Sequence, residues 1–227
     1  MSVLFVLTSH DVLGNTGRKT GLWLEEFLVP YYRAIDAGHK VVLATPKGGQ
    51  APVDPASIEA FKDSELYARY AGDRALTAAM IQTIKIASVD KNATEAAIYP
   101  GGHGPLWDLR NDKDSINLIA DLLKQNKPVA TICHAGCALL EVKNEDGTNL
   151  VSGRNVTSFS DSEEAAVDMV EHCPYLVETE LKKLGAKYTK GGDWANHSVQ
   201  DGLLITGQNP ASSSAVADMV LTQIKSA

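Results

Sequence analysis

Three kinds of residue in this chain could do chemistry together: a cysteine next to a histidine, acids set among apolar neighbours, and glycines clustered where strands end. Cys133-His134 follows the run Pro128-Val129-Ala130-Thr131-Ile132 and precedes Ala135-Gly136-Cys137-Ala138-Leu139-Leu140. A short apolar run that stops at one cysteine and resumes in small residues reads as a buried parallel strand turning sharply into a helix. At such a corner the thiol sits over the first N–H groups of the helix. Their free donors and the positive dipole end favour thiolate, which makes Cys133 the candidate nucleophile. Taken alone, the stretch equally suits a buried structural cysteine.

The acids come next. Between Leu22 and Tyr32 only Glu25 and Glu26 are charged. At helical spacing Glu26 has Leu22, Trp23, Val29 and Pro30 as neighbours, so ionisation there is costly and its pKa should rise. Glu25 has similar neighbours, and spacing does not choose between the two; either could instead reach solvent at a helix start, where the dipole favours acids. Pro30 removes the hydrogen bond to the Glu26 carbonyl and predicts a kink. Further along, Pro100-Gly101-Gly102-His103-Gly104-Pro105 follows the strand-like Ala96-Ala97-Ile98-Tyr99. Glycines there let backbone N–H groups approach a ligand, as a phosphate cradle or as one wall of an oxyanion hole. The lack of G-x-G-x-x-G or Walker spacing weakens the phosphate reading. Phe159-Ser160-Asp161-Ser162-Glu163-Glu164 opens a helix with Ser160 or Asp161 as cap, and helix-start electrostatics alone would account for both glutamates.

The elements that must position these groups alternate. Val3 to Leu7 is a central parallel strand, Thr20 to about Ala37 a helix closed by Gly38, and His39 to Ala44 the next strand. A Pro/Gly-rich loop covers Thr45 to Pro55, and a helical pattern runs from Asp63 to Thr83 with a break near Gly72-Asp73. Asn111 to Lys127 is an amphipathic helix leading to the Cys133 strand. Leu150-Val151 and Asn155-Val156-Thr157 read as a small ribbon, Tyr175 to Gly185 as a helix and Ala186 to Tyr188 as a short strand. Leu203 to Thr206 is the last core strand, before a helix from about Ser212 to the end. Strands and helices in turn, with no repeat or low-complexity linker, predict an α/β fold: one domain over residues 1–227, a three-layer sandwich around a mostly parallel sheet.

With 44% hydrophobic residues, 227 residues suffice for a packed core, and a net charge of −7 with no basic run longer than Arg18-Lys19 argues against nucleic-acid or membrane partners. Three cysteines and no apolar run near ~18 residues point to a soluble, cytoplasmic protein. A metal site drawn from Cys133, His134, Cys137, His172 and Cys173 is disfavoured, because the spacings do not form matched ligand pairs.

In order, Thr20-Gly21 with Glu26 and Pro30, Pro100 to Gly104, Cys133-His134, Phe159-Ser160-Asp161 with Glu164, and Gly207-Gln208-Asn209-Pro210 resemble the ThiJ/PfpI superfamily along essentially the whole chain. Within it the chain is similar to the branch of heat-shock-induced glyoxalase III proteins. The resemblance implies a flavodoxin-like, class I glutamine amidotransferase-like core and a homodimer. It makes Cys133 the nucleophile, His134 its neighbour, Glu164 the acid orienting that histidine and Glu26 the buried acid facing the thiol. Gly102, with Gly101 beside it, and the His134 N–H form the oxyanion and substrate site. Ala135-Gly136 stands where the family usually has Gly-Pro. The implied activity is cofactor-independent conversion of a small 2-oxoaldehyde, methylglyoxal, to lactate through a cysteine hemithioacetal, with either Glu26 or His134 moving the substrate proton. A holdase chaperone, a deglycase and a redox sensor oxidised at Cys133 are the family's other implied activities. A glutaminase is disfavoured because His197 is followed by Ser198-Val199, with no acid before Asp201.

Overall fold

The computed structural model describes residues 1–224. Its first strand, β1 (Ser2–Val6), shows why a continuous apolar run suits a central strand. Val3 and Phe5 enter one buried layer and Leu4 and Val6 the other, so both faces must be apolar. Helix α1 (Leu24–Asp36) covers the first layer with Phe27, Leu28 and Tyr32, and β2 (Lys40–Thr45) returns parallel to β1. Helices α2 (Pro55–Phe61), α3 (Glu65–Gly72) and α4 (Arg74–Ile81) then lead to a two-residue strand, β3 (Ile84–Lys85), beside β2.

The chain crosses to the other side of β1 with β4 (Thr94–Tyr99), the short α5 (Pro105–Asp108), α6 (Lys113–Lys124) and β5 (Val129–Ile132). Helix α6 lays Leu118, Ile119 and Leu122 on the second layer. After a 3₁₀ run over Cys133–Leu139 come β6 (Asn155–Val156), α7 (Asp161–Ala166), α8 (Val177–Lys183) and β7 (Lys187–Tyr188). Strands β6 and β7 pair in parallel as a separate ribbon. The chain then finishes the sheet with β8 (Ser198–Asp201) and β9 (Leu204–Gly207), and α9 (Ser213–Gln223) packs back against α1. The order is β3-β2-β1-β4-β5-β9-β8, parallel except for β8. The expected three-layer α/β sandwich is present. Successive strands reverse direction of travel across the sheet between β1 and β4, the position where such sheets open a crevice at their carboxyl ends.

Several boundaries differ from the sequence reading for physical reasons. Helix α1 begins at Leu24 rather than Thr20, because Leu22 pairs with Pro52 and Asp54 through the backbone and Thr20 Oγ1 donates to Asp54 Oδ2 at 2.8 Å. It then runs through Pro30 as one helix. Asp54 also caps α2, a helix in the stretch between the expected loop and Asp63 to which the sequence reading assigns no element; the break expected near Gly72-Asp73 is present, with Asp73 ending α3 and capping α4. Leu150-Val151 lies in a turn, and the residues after the Cys133 corner form a 3₁₀ run rather than an α-helix. Strand β8, with its intermediate and exposed residues, carries too weak a pattern to read from sequence. The helix expected to reach the chain end is described to Gln223; the expectation for residues 225–227 lies outside the described residues.

The cost of truncation should follow burial. Leu122→Ala, at a fully buried position, should lower the unfolding free energy by about 2–5 kcal/mol, whereas Ile81→Ala, 52% exposed, should cost about 0.5 kcal/mol or less. Urea midpoints at unchanged m-value test this, and equal losses would contradict the described packing.

Candidate active site

Three strand ends and two helices bring the site together. β5 ends at Ile132, and Cys133 takes a left-handed backbone conformation, φ 57°, a strained arrangement typical of a nucleophile held on a tight turn. The strain is held in place from outside: Ser158 Oγ donates to the Cys133 carbonyl at 2.7 Å. Gly136 has room for no side chain, since a Cβ would lie 2.6 Å from Ser158 Oγ, and Ala135 is fully buried, so the corner stands with Ala135-Gly136 in it. The backbone amides of Gly102 and His134 lie near enough to the Cys133 sulfur to favour its ionised form.

Sγ of Cys133 lies 3.2 Å from His134 Nδ1, and His134 Nε2 lies 2.6 Å from Glu164 Oε2. The other carboxylate oxygen, Oε1, is 2.8 Å from Nε2 of His103. Since a carboxylate only accepts, both imidazoles carry their proton at Nε2, and the Nδ1 lone pair of His134 faces the thiol. Burial works against an ionised Glu164, but His134 and His103 outweigh it and hold the carboxyl well below its ordinary range. Burial likewise pushes His134 below the ordinary histidine value, against the pull of Glu164.

Glu26 arrives from α1. Trp23 N donates to the Gly101 carbonyl at 2.9 Å, tying the start of the helix to the β4 loop, and Gly101 N donates to Glu26 Oε2 at 2.8 Å. A side chain at Gly101 would meet Cys133 Cβ at 2.8 Å, and one at Gly102, whose φ is +91°, would meet the Gly21 carbonyl at 2.4 Å. The glycines are therefore needed for close approach. The Gly101 amide itself serves Glu26, so of the two glycines it is Gly102 whose amide favours an ionised sulfur. Glu26 is fully buried, its Oε1 has no hydrogen-bond partner, and burial raises its pKa to about 8 despite contacts from Cys133 and Gly101. Glu25, only partly buried, is raised as well by burial.

One expectation is reversed. Burial, then the neighbouring Glu26, push the Cys133 thiol well above its ordinary value, and the amides of His134 and Gly102 offset this only in part. The resting group is a thiol. Cys137 lies apart, fully buried with Sγ on the Pro105 carbonyl at 3.3 Å.

A cleft lies over the sulfur, about 350 Å³ with the solvent space at its mouth included, and its walls include Trp23, Phe159, Val167, Trp194 and Pro210. Sequence reading brings forward Phe159 and Pro210 only as members of their motif segments and gives Trp23, Val167 and Trp194 no role in the site, because Trp23 sits at an element boundary and Trp194 in a loop without periodicity. Glu163, a helix-start acid by sequence, has a larger part. It completes a capping box with Ser160 and also accepts from Trp194 N at 2.9 Å, Asn209 Nδ2 at 2.8 Å and Gln208 Nε2 at 3.0 Å. One buried carboxylate thus fixes the loop that carries Trp194.

The buried acid predicts a pH signature. Glu26 binds its proton up to about pH 8 in the folded chain but only to its ordinary 4.5 when unfolded. Its contribution to stability is therefore complete below that lower value and declines as pH rises to the upper one, by at most about 1.4 kcal/mol per unit. Glu26→Gln should match wild type near pH 4.5 and become progressively the more stable of the two toward pH 8. Parallel pH–stability curves for the two proteins would contradict a protonated Glu26.

Comparison with known proteins agrees with this architecture. Glutathione-independent glyoxalase HSP31 of Saccharomyces cerevisiae is 31% identical over 98% of this chain and 98% of its own length. The crystal structure of Rapid Encystment Protein 24 kDa from Francisella tularensis superposes with a TM-score of 0.94 at 34% identity, covering 98% of this chain and 99% of that one. Glyoxalase III from Candida albicans gives a TM-score of 0.90 at 26% identity, covering 99% and 98%. The DJ-1/PfpI family model matches residues 20–223, and with the cysteine corner, the buried acid and the parallel sheet in place, this chain belongs to the DJ-1/PfpI family.

Proposed function

We propose that the chain is a glutathione-independent glyoxalase that converts a small 2-oxoaldehyde such as methylglyoxal to the 2-hydroxy acid, with Cys133 as nucleophile. The observation that carries this reading is a Cys133–His134–Glu164 chain of contacts beside a buried Glu26 with an unpartnered, protonatable oxygen. The names of the yeast and Candida relatives support the substrate class.

The steps follow from the positions. The thiol gives its proton to Nδ1 of His134, 3.2 Å away, with Glu164 stabilising the imidazolium from the far side. The sulfur adds to the aldehyde carbon, and the N–H groups of Gly102 and His134 hold the oxyanion of the resulting hemithioacetal. The hydrogen on C1 must then move as a proton, while its electron pair shifts to reduce C2 from carbonyl to alcohol and oxidise C1 to a thioester. Glu26 Oε1 is free where His134 Nδ1 faces the sulfur, so Glu26 is the better-placed carrier: it gives its own proton to the C2 oxygen, takes the C1 proton on the carboxylate so formed and returns it to C2, and is reprotonated by the imidazolium that holds the thiol proton. Water hydrolyses the thioester, releasing the acid and restoring the thiol, with no net redox change and no cofactor.

A deglycase would share the covalent step, and a holdase would not need it. No helix among the described residues is long and apolar enough to cross a membrane; a cytoplasmic homodimer is the working assignment, tested by light scattering and fractionation.

With methylglyoxal and no glutathione, wild type should form lactate. Cys133→Ala and Glu26→Gln should each lose at least about 10²-fold in rate, while Cys137→Ala keeps most of it. Absence of lactate from wild type, together with aggregation suppression indifferent to Cys133→Ala, would replace the enzyme with a chaperone.

A further inference from the structure

We propose that His103, Glu164 and Cys173 form a binding site for a thiophilic divalent cation, best matched by zinc, which competes with His134 for the Glu164 carboxylate. The imidazole nitrogen, carboxylate oxygen and sulfur of these three residues all lie within 4.8 Å of one another. They come from separate elements: the loop after β4, helix α7, and the turn that follows it, where Cys173 N donates to the Met169 carbonyl at 3.0 Å. The set differs from the five residues that sequence spacing brought forward, of which it retains only Cys173. Glu164 and Cys173 are close in sequence, on α7 and the turn after it, whereas His103 lies 61 residues before Glu164 and joins them only through the fold.

The donor chemistry selects the cation. Thiolate, imidazole and carboxylate together suit zinc, which takes S, N and O ligands at about 2.0–2.3 Å and accepts three protein ligands with a fourth position open. Magnesium and calcium demand oxygen shells that this trio does not offer. Ligand atoms around a tetrahedral zinc sit roughly 3–4 Å apart, so a cluster already inside 4.8 Å closes on the ion by small side-chain rotations. The protons balance: the Cys173 thiol loses its proton to solvent, and the His103 proton moves from Nε2, where it now faces Glu164, to Nδ1. One proton leaves for each cation bound.

Glu164 makes the site consequential. Its Oε1 is the oxygen now given to His103, and its Oε2 is the one given to His134. A divalent cation on Oε1 neutralises the negative charge on which the His134 imidazole leans, while the ring of His103, its centroid 4.2 Å from that of His134, must turn toward the metal. Cation binding and an active Cys133–His134 pair draw on the same carboxylate. The site rests on geometry alone; its effect on the protein rests on the roles proposed above for Cys133 and His134.

Cobalt(II), added to the chelator-treated full chain, is a direct probe, because a cysteine ligand gives a thiolate-to-cobalt charge-transfer band. Wild type and Cys133→Ala should each bind one equivalent and show the band. Cys173→Ser should lose it, and His103→Gln should weaken binding at least about tenfold. Alongside, the rate of Cys133 alkylation by iodoacetamide, followed by peptide mass spectrometry and normalised to each variant's cation-free rate, should fall with one equivalent of zinc in wild type and not in Cys173→Ser. A band that survives Cys173→Ser but vanishes in Cys133→Ala would put the metal on the nucleophile and overturn the site, as would the absence of stoichiometric binding. Binding with undiminished Cys133 alkylation would overturn the competition. A wild type that binds cobalt as expected yet makes no lactate would count against the glyoxalase reading and leave the site standing.

Discussion

A carboxyl group sealed from water against a thiol is the constraint around which this structure is arranged. Removing a carboxylate from solvent without full compensation costs several kcal/mol, and Glu26 has only one hydrogen-bonded oxygen. The chain meets this by leaving the group protonated and by supplying the Gly101 amide. That contact needs a glycine, because any side chain there would strike Cys133, and it needs α1 to begin late enough for Trp23 to reach the Gly101 carbonyl. The position of the first helix, the composition of the β4 loop and the strained turn at Cys133 are thus one set of conditions on a single pocket.

Acidity in the site is divided by surroundings rather than by residue type. Glu26, Glu163 and Glu164 are all buried, yet they do different work. Glu164 has two imidazole donors and stays ionised; Glu163 has amide and hydroxyl donors and serves as a structural anchor for the Trp194 loop; Glu26 has one amide and a thiol and keeps its proton. Environment sets the role, as it does wherever two carboxyls in one enzyme act as acid and base.

What could be read from sequence follows the range of the forces involved. Val3 to Leu7, Ala96 to Tyr99 and the Ile132–Cys133 corner were legible because burial on both faces writes a continuous apolar run, and Ser160 because a cap is a contact within one turn. The bias of the Cys133 corner toward thiolate was legible but incomplete: the amides are local, whereas the opposing Glu26 comes from a helix more than a hundred residues earlier. Thr20 to Trp23 was misread as helix because its backbone pairs with Pro52 and Asp54, a tertiary contact with no local signature. Glu163 and Glu164, adjacent and alike in sequence, part company only when α7 directs one to the Trp194 loop and the other to His134. The likeness to a family brought Glu26 forward from Glu25; burial in the structure separates them on physical grounds.

Glu26, Gly102, Cys133 and Glu164 are contributed by segments that follow different strands, so no hairpin or other short piece of the chain contains the pocket. Parallel sheets close long loops before their contacts repay the lost entropy, which places such pairings late and makes them slow. The strained φ at Cys133 can be held only after Ser158 has reached it from beyond the 3₁₀ run. During synthesis Cys133 therefore emerges well before its supporting turn exists, as an ordinary cysteine without its buried acid or its histidine–carboxylate pair. The reactivity proposed for Cys133 thus depends on contacts that only the assembled sheet provides.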